Sequence, residues 1–135
     1  MKIKSEQEML EFGREFAKEI SRPVVIELIG DVGVGKTTFT RGLAEGLGVK
    51  EPVTSPSFVI SKTYAFSDGG NLVHYDFYRL PDPGLMADDL NEKINDLKNV
   101  VVIEWGDSVT ELLPDNHIVI GFSYDDEGGR QVNVL

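Results

Sequence analysis

The stretch Gly30-Asp31-Val32-Gly33-Val34-Gly35-Lys36-Thr37 has the chemistry of a phosphate cradle, matching G-x-x-x-x-G-K-[ST] at every fixed position. Glycines at 30, 33 and 35 let a loop adopt positive φ and bring its amides against phosphate oxygens, where a side chain would collide. Lys36 supplies a compact cation for β and γ phosphates, and the Thr37 hydroxyl is a hard oxygen suited to Mg²⁺. The alternative is a glycine-rich turn with an accidental Lys-Thr. The flanks argue against it, because phosphates need amides at a helix N-terminus and the loop must therefore run from a buried strand into a helix. Val24–Ile29 is a β-branched run of strand length, and from Thr38 onward Phe39, Leu43 and Leu47 share one helical face before Gly48 stops it.

Hydrolysis needs more than a cradle: a carboxylate near the metal, and a group that orients the attacking water. Glu104 follows the apolar run Val100–Ile103, which has the form of a central parallel strand, so it falls at the carboxyl edge where ligands collect in open α/β folds. A carboxylate there could hold Mg²⁺ directly or through water, opposite the Thr37 hydroxyl; the alternative is an exposed strand-end Glu. In His74-Tyr75-Asp76-Phe77-Tyr78-Arg79, alternation puts His74, Asp76 and Tyr78 on one strand face, a costly polar triplet unless each has a partner. Asp76 could accept a hydrogen bond from a metal-bound or attacking water, and Arg79 could pair with a carboxylate or phosphate. His74, with no second ligand beside it, reads as a hydrogen-bonded structural residue before a chemical one. Trp105 reads as core, with a base-stacking platform as the alternative.

Two other nucleotide-binding classes fit less well. No [NT]-K-x-D segment is present to read guanine, and the arginines (14, 22, 41, 79 and 130) are too scattered to form the closing lid of a small-molecule kinase.

The elements that must hold these groups can be placed in order. Ser5-Glu6-Gln7-Glu8 has the form of a capping box, with Ser5 capping the Glu8 amide and Glu8 reaching back. The helix it starts puts Met9, Phe12, Phe16 and Ile20 against a sheet, leaves Glu11, Arg14, Glu15, Lys18 and Glu19 in water, and ends at Ser21-Arg22 before Pro23. Phe58–Phe66 and Leu72–Tyr78 flank the turn Asp68-Gly69-Gly70-Asn71 as an antiparallel hairpin. Leu85–Leu97 has weaker helical character, and Val109–Leu113 suits a short helix. Ile118–Tyr124 and Gln131–Leu135, joined across Asp125–Arg130, close the sheet. The expected fold is α/β: one P-loop NTPase domain over residues 1–135, its mixed, mostly parallel sheet flanked by helices and carrying an antiparallel hairpin.

At 135 residues the chain is long enough for one core without a staple. It has no cysteine, which excludes disulfides, thiolate metal sites and cysteine nucleophiles. No apolar run reaches membrane-spanning length and Met1–Glu6 lacks the apolar core of a secretion signal, so the expected setting is the cytoplasm, away from membranes. Thirteen Lys and Arg against 23 Asp and Glu give a formal charge of -10, the wrong sign for a free-standing DNA or RNA binder.

Taken together, Gly30–Thr38, Thr54-Ser55-Pro56-Ser57-Phe58, His74-Tyr75-Asp76-Phe77-Tyr78-Arg79-Leu80 and Glu104-Trp105-Gly106 resemble the bacterial TsaE family in order over nearly the whole chain. The resemblance implies a small ATPase working with the protein subunits that install threonylcarbamoyl on adenosine 37 of tRNAs reading ANN codons. It implies that Gly33, Val34, Gly35, Lys36, Thr37 and Thr38 hold the phosphates of ATP or ADP and that Thr37 and Glu104 ligate Mg²⁺. Asp76 would be needed for turnover beside Lys36 and Glu104, Trp105 and Arg130 would lie near the nucleotide, and Thr54–Phe58 would switch with nucleotide state. Two positions depart from the family: Ser57 stands where Thr is usual, and Met9 where a Thr tends to lie close to the base. With no evident internal arginine finger other than Arg79, hydrolysis should be slow until partners complete the site, and tRNA should meet those partners rather than this acidic chain. The competing functions are a small-molecule phosphotransferase and a binding module switched by ATP.

Overall fold

The computed structural model describes residues 1–54, 61–78 and 84–135. In chain order the elements are β1 (Lys2–Ile3), α1 (Glu6–Glu19), β2 (Val24–Ile29), α2 (Lys36–Gly46), β3 (Ser61–Ala65), β4 (Asn71–Asp76), α3 (Leu85–Ile94), β5 (Val100–Glu104), a 3₁₀ turn (Gly106–Leu112), β6 (Ile118–Tyr124) and β7 (Arg130–Val134). The strands follow the order β1-β7-β6-β2-β5-β4-β3. The sheet is mixed, as expected: β4 and β5 run parallel, while β3/β4, β6/β7 and β1/β7 are antiparallel. The expected hairpin is present, with Ser61 opposite Tyr75 and Ala65 opposite Asn71. The two-residue β1, pairing Lys2 with Gln131, was not expected, because so short a segment has no periodicity to read.

The chain packs as two compact units, one of Met1–Ile20, Leu28–Ser55 and Val119–Leu135, the other of Ser21–Glu27 and Pro56–Ile118. In the first, Ser5 caps α1 by accepting from the Glu8 amide at 3.1 Å. The reciprocal arm is shifted by one residue: Glu8 accepts from the Lys4 amide at 2.7 Å, not from that of Ser5. The helix ends at Glu19, earlier than Ser21-Arg22. Its apolar face, expected on a sheet, lies along α2. Phe12, Phe16 and Phe39 form an aromatic cluster with ring centroids 5.4 to 6.0 Å apart, and Phe39 meets Phe122 of β6 edge-on. Arg14, expected in water, bonds Glu11 on its own helix and Glu45 on α2, tying the two together.

In the second unit β5 is buried at all five positions, the burial that its unbroken apolar run requires. Val73, Tyr75, Val101, Ile103 and Leu90 share one apolar cluster. The Tyr75 hydroxyl donates to Asp89 Oδ2 at 2.6 Å, and burial, followed by that bond, pushes the phenol well above its ordinary range. The folded chain therefore holds this proton more tightly than the unfolded one. Stability is whole below about pH 10 and falls as pH rises beyond it, because the unfolded chain releases the proton first. Tyr75→Phe will flatten this alkaline loss, a difference to be read from urea midpoints at about pH 8 and about pH 11.

Candidate functional site

In the first unit the end of β2 leads into the glycine loop, and α2 begins at Lys36. Gly35 caps the helix in the left-handed region at φ 113°, and a Cβ there would stand 2.8 Å from the Met9 methyl group. Only glycine meets both demands. No side chain caps the start of α2 and its first turn holds no acidic residue, so amides and a partial positive charge face outward. Lys36, 5% exposed, folds back so that Nζ donates to the Gly30 carbonyl at 2.5 Å. Such a loop presents oriented amides and one cation to an anion.

Beside it opens a cavity of about 410 Å³, bounded by the first residues of the chain from Ile3 to Glu6, by Met9 on α1, by Gly33 to Gly35 and Thr38, and by Gly128 to Arg130. Its volume falls within the range of small-molecule sites. Of the expected phosphate-binding residues, Gly33 is exposed, Val34 buried, and Thr37 and Thr38 half-buried on the first turn of α2. Arg130 lines this cavity. Its guanidinium donates to the Gly128 carbonyl at 3.3 Å and rests 4.3 Å from the centre of the Tyr124 ring. The Tyr124 hydroxyl in turn reaches within 3.5 Å of where a Cβ on Gly33 would sit. Tyr124 was not anticipated, because its pairing with Arg130 follows from the β6/β7 register.

In the second unit β4 and β5 end side by side, with Asp76 opposite Glu104. Glu104 is buried, and its Oε2 lies 2.5 Å from Nε2 of the wholly buried His74. The hydrogen-bonded reading of His74 holds, and Glu104 is not the exposed strand-end residue of the alternative. β4 stops at Asp76, so the strand alternation that grouped Tyr78 with His74 and Asp76 does not extend to it. The Tyr78 amide donates to Asp76 Oδ1 at 2.9 Å, and its ring meets that of Trp105 at 4.7 Å. Trp105 follows Glu104 in a left-handed conformation, φ 57°, which costs a non-glycine residue about 1 kcal/mol or more. It packs half-buried against the apolar cluster, at the rim of the core. A second buried carboxylate went unread in the sequence: Glu27 Oε1 lies 3.2 Å from Nε2 of His117, whose Nδ1 faces the Pro114 carbonyl at 2.7 Å. Thr54 is exposed, while Ser55–Phe58 of the expected switch and Arg79 and Leu80 lie outside the described residues.

Residues 3–132 match the family described as threonylcarbamoyl adenosine biosynthesis protein TsaE. Among the similar proteins are two that carry the name tRNA threonylcarbamoyladenosine biosynthesis protein TsaE. That of Streptomyces coelicolor is 42% identical over 111 residues, 82% of this chain and 75% of the relative. That of Haemophilus influenzae is 32% identical over 139 residues, 98% of this chain and 86% of the relative. The crystal structure of Bacillus subtilis YdiB superposes with a TM-score of 0.79 at 28% identity, over 99% of this chain and 82% of that one. With a match spanning nearly every residue and an architecture shared with a solved structure, the chain belongs to the TsaE family.

Proposed function

We propose that this protein is a Mg²⁺-dependent ATPase that supports threonylcarbamoyladenosine formation in tRNA, acting in the cytoplasm with the protein subunits of the transfer complex. The observation that carries the ATP-binding reading is the buried Lys36, folded across a glycine loop at the uncapped start of α2, next to a cavity of about 410 Å³. In this reading the amides from Gly33 to Thr38 grip the β and γ phosphates and Lys36 trades the Gly30 carbonyl for a phosphate oxygen. Arg130, steadied on the Tyr124 ring, faces the nucleoside end.

Thr37 and Glu104 are the residues that would hold the ion, both offering hard oxygen. Among the described residues no three His, Asp or Glu side chains gather into a metal site of their own. That fits an ion held by one or two protein ligands together with nucleotide phosphates. Bound Mg²⁺ would neutralise charge building on the transferring phosphate. Asp76 would orient the attacking water, and Trp105 would flank the nucleotide. With a formal charge of -10, this chain would leave tRNA to its partners.

The test is phosphate release from ATP by the pure protein and by the protein mixed with the other subunits. The rate should rise with the partners and vanish in EDTA, and Glu104→Ala and Asp76→Ala should each lower the stimulated rate at least about tenfold. If both variants keep the full stimulated rate, the two carboxylates have no part in turnover.

A further inference from the structure

His74 is a polar residue in apolar surroundings, with Leu72, Val73 and Tyr75 beside it on β4 and Val102 opposite it on β5, all buried. Packing alone would be better served there by Leu or Phe, which leave no polar atom to satisfy. The one hydrogen bond of the imidazole goes to Glu104, and Nδ1 is buried with no hydrogen-bond partner among the described residues. When Nε2 carries its proton, the ring donates to the Glu104 carboxylate through that N–H. The contact ties one oxygen of the Glu104 carboxylate to the imidazole of His74.

The register explains why the two meet. Asp76 and Glu104 are paired across the parallel strands, so His74 lies two residues back on the face of Asp76, within reach of the Glu104 carboxylate. We propose that His74 is a positioning residue for Glu104, its Nε2–H holding one carboxylate oxygen so that the side chain meets a divalent cation in a single orientation. This rests on the reading of Glu104 as a metal ligand. Donors behind a ligating carboxylate commonly change metal affinity by about 10- to 100-fold when they are lost.

Mn²⁺ titration of the ADP-bound protein, followed by the electron paramagnetic resonance of free Mn²⁺, reads this without turnover. His74→Leu should weaken Mn²⁺ binding about 10- to 100-fold, with ADP affinity in EDTA unchanged. His74→Gln, whose amide nitrogen reaches the Nε2 position, should recover wild-type affinity to within about threefold, whereas the shorter His74→Asn should not. Should the leucine variant fail to fold, the glutamine and asparagine variants decide between themselves. Equal Mn²⁺ affinity in those two, alongside a loss in Glu104→Gln, would overturn the positioning role while leaving Glu104 a ligand. An unchanged affinity in Glu104→Gln would remove the ligand reading itself, and the proposal with it.

Discussion

Lys36→Ala will leave the protein folded, abolish detectable ATP binding at ordinary concentrations and lower phosphate release by about 10²- to 10³-fold, the usual cost of deleting one preorganised charge-stabilising group. The helix start by itself is a weak anion site, its dipole contributing about 0.3 to 1 kcal/mol and up to about 2 in partly buried settings. Lys36 adds a full charge where water is scarce, at 5% exposure and beside the Gly30 carbonyl. Lys36→Arg should rescue little, because a planar guanidinium does not replace a compact ammonium within a tight loop. Calorimetric ATP titration and a thermal melt check the two halves of the result. A folded Lys36→Ala protein that still binds ATP within about threefold of wild type would end the phosphate-cradle reading.

Gly13→Val will cost about 3 kcal/mol or more in urea unfolding, at the upper end of the overpacking range. A Cβ at Gly13 would stand 2.4 Å from the Phe39 carbonyl oxygen and 2.7 Å from the Leu43 amide nitrogen. Both are backbone atoms, which cannot rotate aside, so α1 and α2 must separate and the Phe12, Phe16 and Phe39 cluster must loosen. Helix propensity predicts the opposite sign, a gain of about 0.5 to 1 kcal/mol for replacing a mid-helix glycine by alanine. Gly13→Ala therefore separates the two arguments: a stabilised alanine variant would show that the helices are not in backbone contact. The same separation would draw Met9 away from Gly35, so weaker nucleotide binding should accompany the lost stability.

The glycine loop between a strand and a helix was legible because its signature is local. The spacing of Gly30, Gly33, Gly35 and Lys36, the β-branched run before them and the helical face after them all lie within one continuous stretch. The buried β5 and the hairpin of β3 and β4 were legible for the same reason: an unbroken apolar run and a turn rich in glycine are properties of neighbours in sequence.

Other features depended on which residues from distant stretches become neighbours. Periodicity identified the apolar face of α1 but not its partner, since a sheet and a second helix ask for the same stripe; Gly13 and Gly42 settle the matter only once the α2 backbone is seen against α1. The strand β1 exists only because β7 offers it an edge. His74 and Glu104, 30 residues apart, meet because β4 and β5 adopt one parallel register, and Tyr124 comes under Arg130 by the antiparallel register of β6 and β7. A one-residue slip would turn each of those side chains to the opposite face. What the chain alone determined was the candidate polar groups and the local form of the loop that carries Lys36; which side chains steady them was decided by strand register and helix packing, since hydrogen bonds and steric contacts act through space, whatever the separation in sequence.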